Sequence, residues 1–198
     1  PADAEAVDAL DVDLANVRGA VAWSAVADAD RTAELLLSRF RSLCDLGRQD
    51  DALAWFRIVA DNDAFRGGPQ RALLLQRIGQ LAMAAGHDLD RGRRALEEAI
   101  ELAERDGDRA RAVAARLQLA TLLSLYPASL DIDAAVAHLS ALEGLLLDEP
   151  DPWIEARMHN CLALVHLYRR ESAAGVDRAR WAQQAASRAG LAVLSAHA

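Results

Sequence analysis

Hydrophobic positions recur at helical spacing along almost the whole chain. Leu10, Leu14, Val17 and Val21 stand 4, 3 and 4 residues apart, which is one face of a helix predicted over 11–27. Further helices are predicted over 31–46, stopping at Gly47, and over 49–59, where Asp61-Asn-Asp63 ends the run. Gly67-Gly-Pro69 is a break, and Pro69 suits the first turn of a helix over 69–85 that ends at Gly86. The next runs cover 91–105, closed by Asp106-Gly-Asp108, and 109–125, capped by Asp108 and closed by Tyr126-Pro127. Asp131 or Asp133 opens a helix to 147, and Asp151-Pro152 starts one to 170. A last full helix spans 172–188, and Gly190 begins the first helix of a further unit. Few runs carry the β-branched and aromatic residues that strands favour, so the chain is expected to be all-α. Short connections between helices of 11 to 19 residues force antiparallel neighbours.

The helices repeat in pairs. The second helix of each pair carries a small residue, another residue four later and a third three after that. The sets are Ala52, Phe56, Val59; Gly92, Leu96, Ala99; Ala135, Leu139, Leu142; and Gly175, Ala179, Ala182. Their leading residues are spaced 40, 43 and 40 apart. In the first helices Ile78-Gly79, Leu119-Ala120 and Leu162-Ala163 stand 41 and 43 apart. Two independent markers give one period of about 41 residues, which predicts an α–α solenoid. A small residue lets paired helices approach and a larger one fills the gap.

These markers resemble the tetratricopeptide repeat. The best unit is Leu75-x-x-Ile78-Gly79-x-x-Ala82-x-x-x-Gly86, followed by Gly92, Leu96 and Ala99. It departs from that pattern in its longer period and in Leu75 and Ala82, later His159 and His166, at the aromatic slots; most units also lack a closing Pro. The period is closer to the longer tetratricopeptide-like repeats of kinesin light chains and large bacterial regulators. A second stretch, Asp11-Val-Asp-Leu-Ala-Asn-Val-Arg-Gly-Ala-Val-Ala-Trp23-Ser, resembles a helix of the actinobacterial-type LuxR-like and AfsR/SARP-group regulators, including relatives with an adenylate-cyclase head. Asn16, Val17, Arg18, Ala20 and Trp23 match that helix and Gly19 departs from it. In that family the helix follows an NTPase module and opens the repeat region. The resemblance implies a capping helix over 1–30 after an upstream module, then a repeat array over 31–198 of about four helix pairs, the last unit truncated. The absent initial Met and the apolar end Gly190-Leu-Ala-Val-Leu-Ser suit a fragment of a longer regulator.

Composition narrows the functions. Formal charge is −8 and every one of the 22 basic residues is Arg. An acidic balance disfavours direct binding to nucleic acid, RNA included, and to an anionic membrane surface. No run is long enough for a membrane span and no basic stretch is followed by an apolar one as in a signal peptide, so no signal peptide and a cytoplasmic location are expected. Cys44 and Cys161 are far apart and read as small buried hydrophobes.

No catalytic, cofactor or metal site is expected. Without Lys a Walker A loop is impossible, and no Gly-rich dinucleotide motif occurs. His159 and His166 share a helix face but fall in packing slots, and Cys161 points elsewhere. Asp61-Asn-Asp63 resembles the start of a calcium loop, yet Ala72 stands where the closing Glu belongs. Arg91, Arg93 and Arg94 read as a solvated face laced by pairs such as Arg93–Glu97, with a docking patch for an acidic partner as the alternative. Acidic pairs such as Glu97-Glu98 have no His or Ser partner in a recognisable frame.

A groove remains. In tetratricopeptide arrays the first helices of successive units line the concave surface. The resemblance projects Gln76, Gln80 and Met83, then Thr121, then Arg157, Asn160, Leu164 and Tyr168 onto it. Amides, a thioether and a phenol suit a surface that hydrogen-bonds a backbone and holds an apolar side chain. The expectation is a non-catalytic binding and coupling module of a transcriptional or signalling regulator, taking a protein segment or small effector. The alternative is a scaffold or dimerisation array, a homodimer forming through exposed array ends.

Overall fold

The computed structural model describes residues 16–66, 68–148 and 151–190, and these are helical nearly throughout, with no strand among them. A helix α1 is described over 16–27; residues 11–15 of the expected first helix, and the expected apolar end after Gly190, lie outside the described residues. There follow α2 (Ala29–Asp45), α3 (Gln49–Ala60), α4 (Arg71–Ala85), α5 (Leu89–Arg105), α6 (Arg109–Leu125), α7 (Ile132–Asp148), α8 (Pro152–Tyr168) and α9 (Ser172–Arg188). The chain divides into two compact units, the first ending at Asp88 and the second beginning at Leu89.

Local chemistry sets the boundaries. Asp108 accepts from the backbone N–H of Arg111 at 3.0 Å. Asp151 accepts from Trp153 and Ile154 at 2.8 and 3.2 Å, with Pro152 in the first turn. Each thereby satisfies donors that a helix start leaves open. Asp131 does the same for Ala134 at 3.1 Å. At the other ends, Gly47, Gly86 and Gly107 take φ of +70, +73 and +72°, the left-handed turn that a side chain would oppose. Several boundaries differ from expectation. Pro69 lies in the turn before α4 rather than inside it, and α2 and α5 each start two residues early, at Ala29 and Leu89. Helix α8 stops at Tyr168, with Arg170 at φ +59°.

In the first unit α3 packs on α2 and on α4. The rings of Phe40 and Phe56 meet edge to face, 6.0 Å apart at 66°, a preferred aromatic geometry. A short 3-10 turn, Asp63–Phe65, drives Phe65 into the core. Asn62 caps that turn and donates to the Ala25 carbonyl of α1 at 2.5 Å. Gly68 follows in a tight place, since a Cβ there would stand 2.5 Å from Asp30 Oδ1 and 3.0 Å from the Phe65 ring.

In the second unit consecutive helices pack in turn, and α6 also touches α8. Leu96, Leu117, Leu119, Leu122, Leu123 and Leu139 are fully buried. Most of the repeated markers are core: Ala135, Leu139 and Leu142 on α7, and Gly92, Leu96 and Ala99 on α5. On α9, Gly175 and Ala179 are only half-buried, and a Cβ at Gly175 would meet Ala163 O of α8 at an ordinary 3.5 Å. Ala156, Ala185 and Ala186 close the interface between α8 and α9.

Candidate functional site

Helix α6 is buried on several sides. Ala112, Val113, Ala115, Leu117, Leu119, Ala120, Leu122 and Leu123 leave only a narrow strip for water, because α5, α7 and α8 all pack on it. The strip carries Arg111, Ala114, Gln118 and Thr121, half-buried, and then exposed Leu125. Steps of 3, 4, 3 and 4 keep these five on one face.

On α8 the corresponding positions are Trp153, Arg157, Asn160, Leu164 and Tyr168. Their steps of 4, 3, 4 and 4 confine them to an arc of roughly 80° at 3.6 residues per turn. Trp153 and Tyr168 are 42% and 45% exposed, Asn160 is exposed, and Arg157 and Leu164 are half-buried. The Arg157 guanidinium lies 5.2 Å from the centre of the Trp153 ring, within cation–π range. That contact orients a long side chain whose charge has no carboxylate partner among the described residues. Trp153 was not among the expected groove residues. Its signal was its place four residues before Arg157, hidden because Asp151-Pro152 marks it as a helix start.

The two strips are brought side by side at Thr121. Its hydroxyl donates to Leu117 O at 2.8 Å and sits 3.4 Å from Cys161 Sγ of α8. Thr121 thus seals α6 to α8 beside the α8 strip. Burial pushes the Cys161 thiol above its ordinary range, more strongly than the Thr121 hydrogen bond lowers it. On α6, Gln118 Oε1 is buried with no hydrogen-bond partner. Such an acceptor is costly to leave unmet.

The other three expected groove residues lie on α4 of the first unit. Gln76 is 6% exposed, so it is held in the interior. Gln80 accepts from Arg77 Nη1 at 2.8 Å, and that guanidinium stacks 4.5 Å over the Phe40 ring. Met83 is half-buried.

The histidines of α8 are engaged elsewhere. His166 Nδ1 is 2.6 Å from Glu171 Oε2, and His159 packs against the Trp181 ring of α9 at 5.5 Å. No group of three or more metal-ligating side chains occurs among the described residues, and no helix among them is long and apolar enough to cross a membrane. In the Arg91–Arg94 cluster, Arg93 pairs with Glu97 at 2.9 Å and lies 3.6 Å from Asp131. Comparison of the chain with protein-family models, with curated proteins and with solved structures finds no match.

Proposed function

We propose that the chain is a non-catalytic binding and coupling module: a tetratricopeptide-like helical-pair array, of about 41-residue period, in a bacterial signalling or transcriptional regulator. A protein segment docks across α6 and α8, the first helices of the pairs in the second unit. The parent suggested by the 11–24 resemblance, a LuxR/AfsR-SARP-like ATPase regulator acting in the cytoplasm, belongs to the same reading. Fold alone does not fix function, so the argument rests on the site.

The observation that carries the reading is the α8 strip. Its aromatic, cationic, amide and apolar side chains project from one rigid helix face, and its ion-pairing and amide capacity is unspent within the described chain. Beside it the contact of Thr121 with Cys161 joins residues 40 apart, close to the period of the sequence markers. A peptide backbone offers N–H donors at regular spacing and side chains for the Trp153 and Tyr168 surfaces.

Selection from a displayed peptide library tests this. Peptides enriched on the wild-type chain are expected to bind an Arg157→Ala/Asn160→Ala/Tyr168→Ala variant at least about 10-fold more weakly, about 1.4 kcal/mol, with unchanged circular dichroism. Equal binding by both proteins, or no enrichment at all, would refute it. A second reading, a scaffold that dimerises through α9, is favoured by the exposed Val176 and Trp181 of that helix. Light scattering that shows a monomer at all concentrations would remove that reading.

A further inference from the structure

We propose that two arginine–histidine pairs, Arg116–His138 between α6 and α7 and Arg178–His159 between α8 and α9, are acid-labile latches that loosen the second unit when the imidazoles take up protons. Arg116 Nη1 lies 3.3 Å from His138 Nδ1, and Arg178 Nη1 lies 3.2 Å from His159 Nδ1. A guanidinium has only donors. The ring nitrogen facing it must therefore accept, which requires a neutral imidazole with its proton on Nε2. Protonation turns Nδ1 into a second donor, removes the hydrogen bond and sets two cations against each other at contact distance. Half-buried or buried rings feel that repulsion with little screening.

The carboxylates around each imidazole are already engaged by arginines. His159 is 9% exposed. From α7, Glu143 faces it but already receives Arg178 at 3.2 Å. On its own helix Glu155 stands 3.9 Å from Nε2 and is held by Arg188 of α9 at 2.8 Å. The Trp181 ring covers one side, the Arg178 guanidinium lies 5.0 Å from that ring, and α6 brings no carboxylate. Around His138 the plan is the same. Arg116 is paired to Glu104 of α5, with its Nε donating at 3.1 Å. Arg93 of α5 occupies both Glu97 and Asp131. Helix α8, also packed on α7, carries only Glu155 and Arg157 as charges besides its histidines. Each latch is thus one arginine bridging a carboxylate on one helix and an imidazole on another: Glu104–Arg116–His138 and Glu143–Arg178–His159.

The direction of the pH effect follows. Burial first, and the facing arginine second, hold both imidazoles below the ordinary histidine range. An unfolded chain takes up its histidine protons near pH 6.5. Between that value and the lower folded values the unfolded state binds more protons, so stability is present above about pH 6.5 and is lost as pH falls through the folded values. Carboxylates remain ionised over most of that window.

Thermal unfolding of the chain followed by circular dichroism, at pH 7.5 and pH 5.5, tests the latches. Glutamine offers a carbonyl acceptor that does not titrate. The wild-type midpoint is expected to fall on the order of 5 °C more between these pH values than that of His138→Gln/His159→Gln. An equal fall in both proteins overturns the proposal. Nitrogen-15 spectra of the wild-type imidazoles need no variant. At pH 7.5 they are expected to show both rings neutral with Nδ1 unprotonated, and a proton on Nδ1 of both rings overturns the proposal.

Discussion

Replacing Leu139 by Ala tests whether the repeated markers are the contacts that hold the helix pairs together. Leu139 is 0% exposed on α7, midway between the markers Ala135 and Leu142, which are equally buried. Truncation removes most of a fully buried side chain and leaves a cavity between packed helices, a change that costs about 2–5 kcal/mol. Against a total stability of roughly 5–15 kcal/mol this is a large fraction. In a chain of this length a loss of about 3 kcal/mol lowers the melting midpoint by roughly 6–12 °C. Leu125→Ala is the control: the same chemistry at the end of α6, where the side chain is 48% exposed. It is expected to cost under about 1.5 kcal/mol, since half of the apolar surface is already in water. Urea unfolding at pH 7.5, with an unchanged slope, reads both. A Leu139→Ala cost below about 1 kcal/mol, or one no larger than that of Leu125→Ala, would refute the claim that the markers are core contacts.

Asp151→Ala is expected to cost about 1 kcal/mol, because it removes the acceptor for the Trp153 and Ile154 amides, whereas Asp151→Asn is expected to be nearly neutral; urea midpoints decide. Gly144→Ala lies inside α7, where a Cβ would meet nothing within 4 Å, so a gain of roughly 0.5–1 kcal/mol is expected, and a loss in thermal unfolding would contradict that reading. Cys161, buried and with its thiol pushed up, is expected to react with a thiol reagent at neutral pH more slowly than half-buried Cys44; peptide mapping of partly modified protein would show the order.

The helices were legible in the sequence because periodicity and punctuation agree. Glycines 47, 86 and 107 each mark a helix end and each take the left-handed turn that favours Gly. What carries no periodicity was not legible. The 3-10 turns Asp63–Phe65 and Pro127–Ser129 are three residues long, too short for a hydrophobic face. Arg170 ends its helix with positive φ but is not Gly or Asn, so nothing in its identity announces the stop. At the candidate site, the α8 residues Arg157, Asn160, Leu164 and Tyr168 were found together because a face of one helix is a property of spacing alone. The engagement of Gln80 by Arg77 and of Thr121 by Cys161 was not readable. The first depends on rotamers and the second on which helix lies beside α6.

The placement of charge explains why α6 and α8 are almost free of carboxylates. The chain carries eight more acidic than basic residues, yet α6 has no carboxylate and α8 has only Glu155, which Arg188 holds. Helix α5 has five and α7 three. A helix packed by neighbours on several sides has little surface left to solvate a carboxylate, and an unpaired buried charge is costly. Ala and Leu therefore fill α6, and the acids gather on its neighbours, where α5 keeps a broad solvent face. Apart from buried Ser124 and His159, the few polar positions left on α6 and α8 are those that packing does not fully cover. Because packing does not dictate their identity, amide, guanidinium and aromatic groups there cost the fold little. The same compression that makes the core monotonous in Ala and Leu makes the remaining strip chemically varied, and Arg157, Asn160 and Tyr168 stand on it without a competing carboxylate on the strip itself.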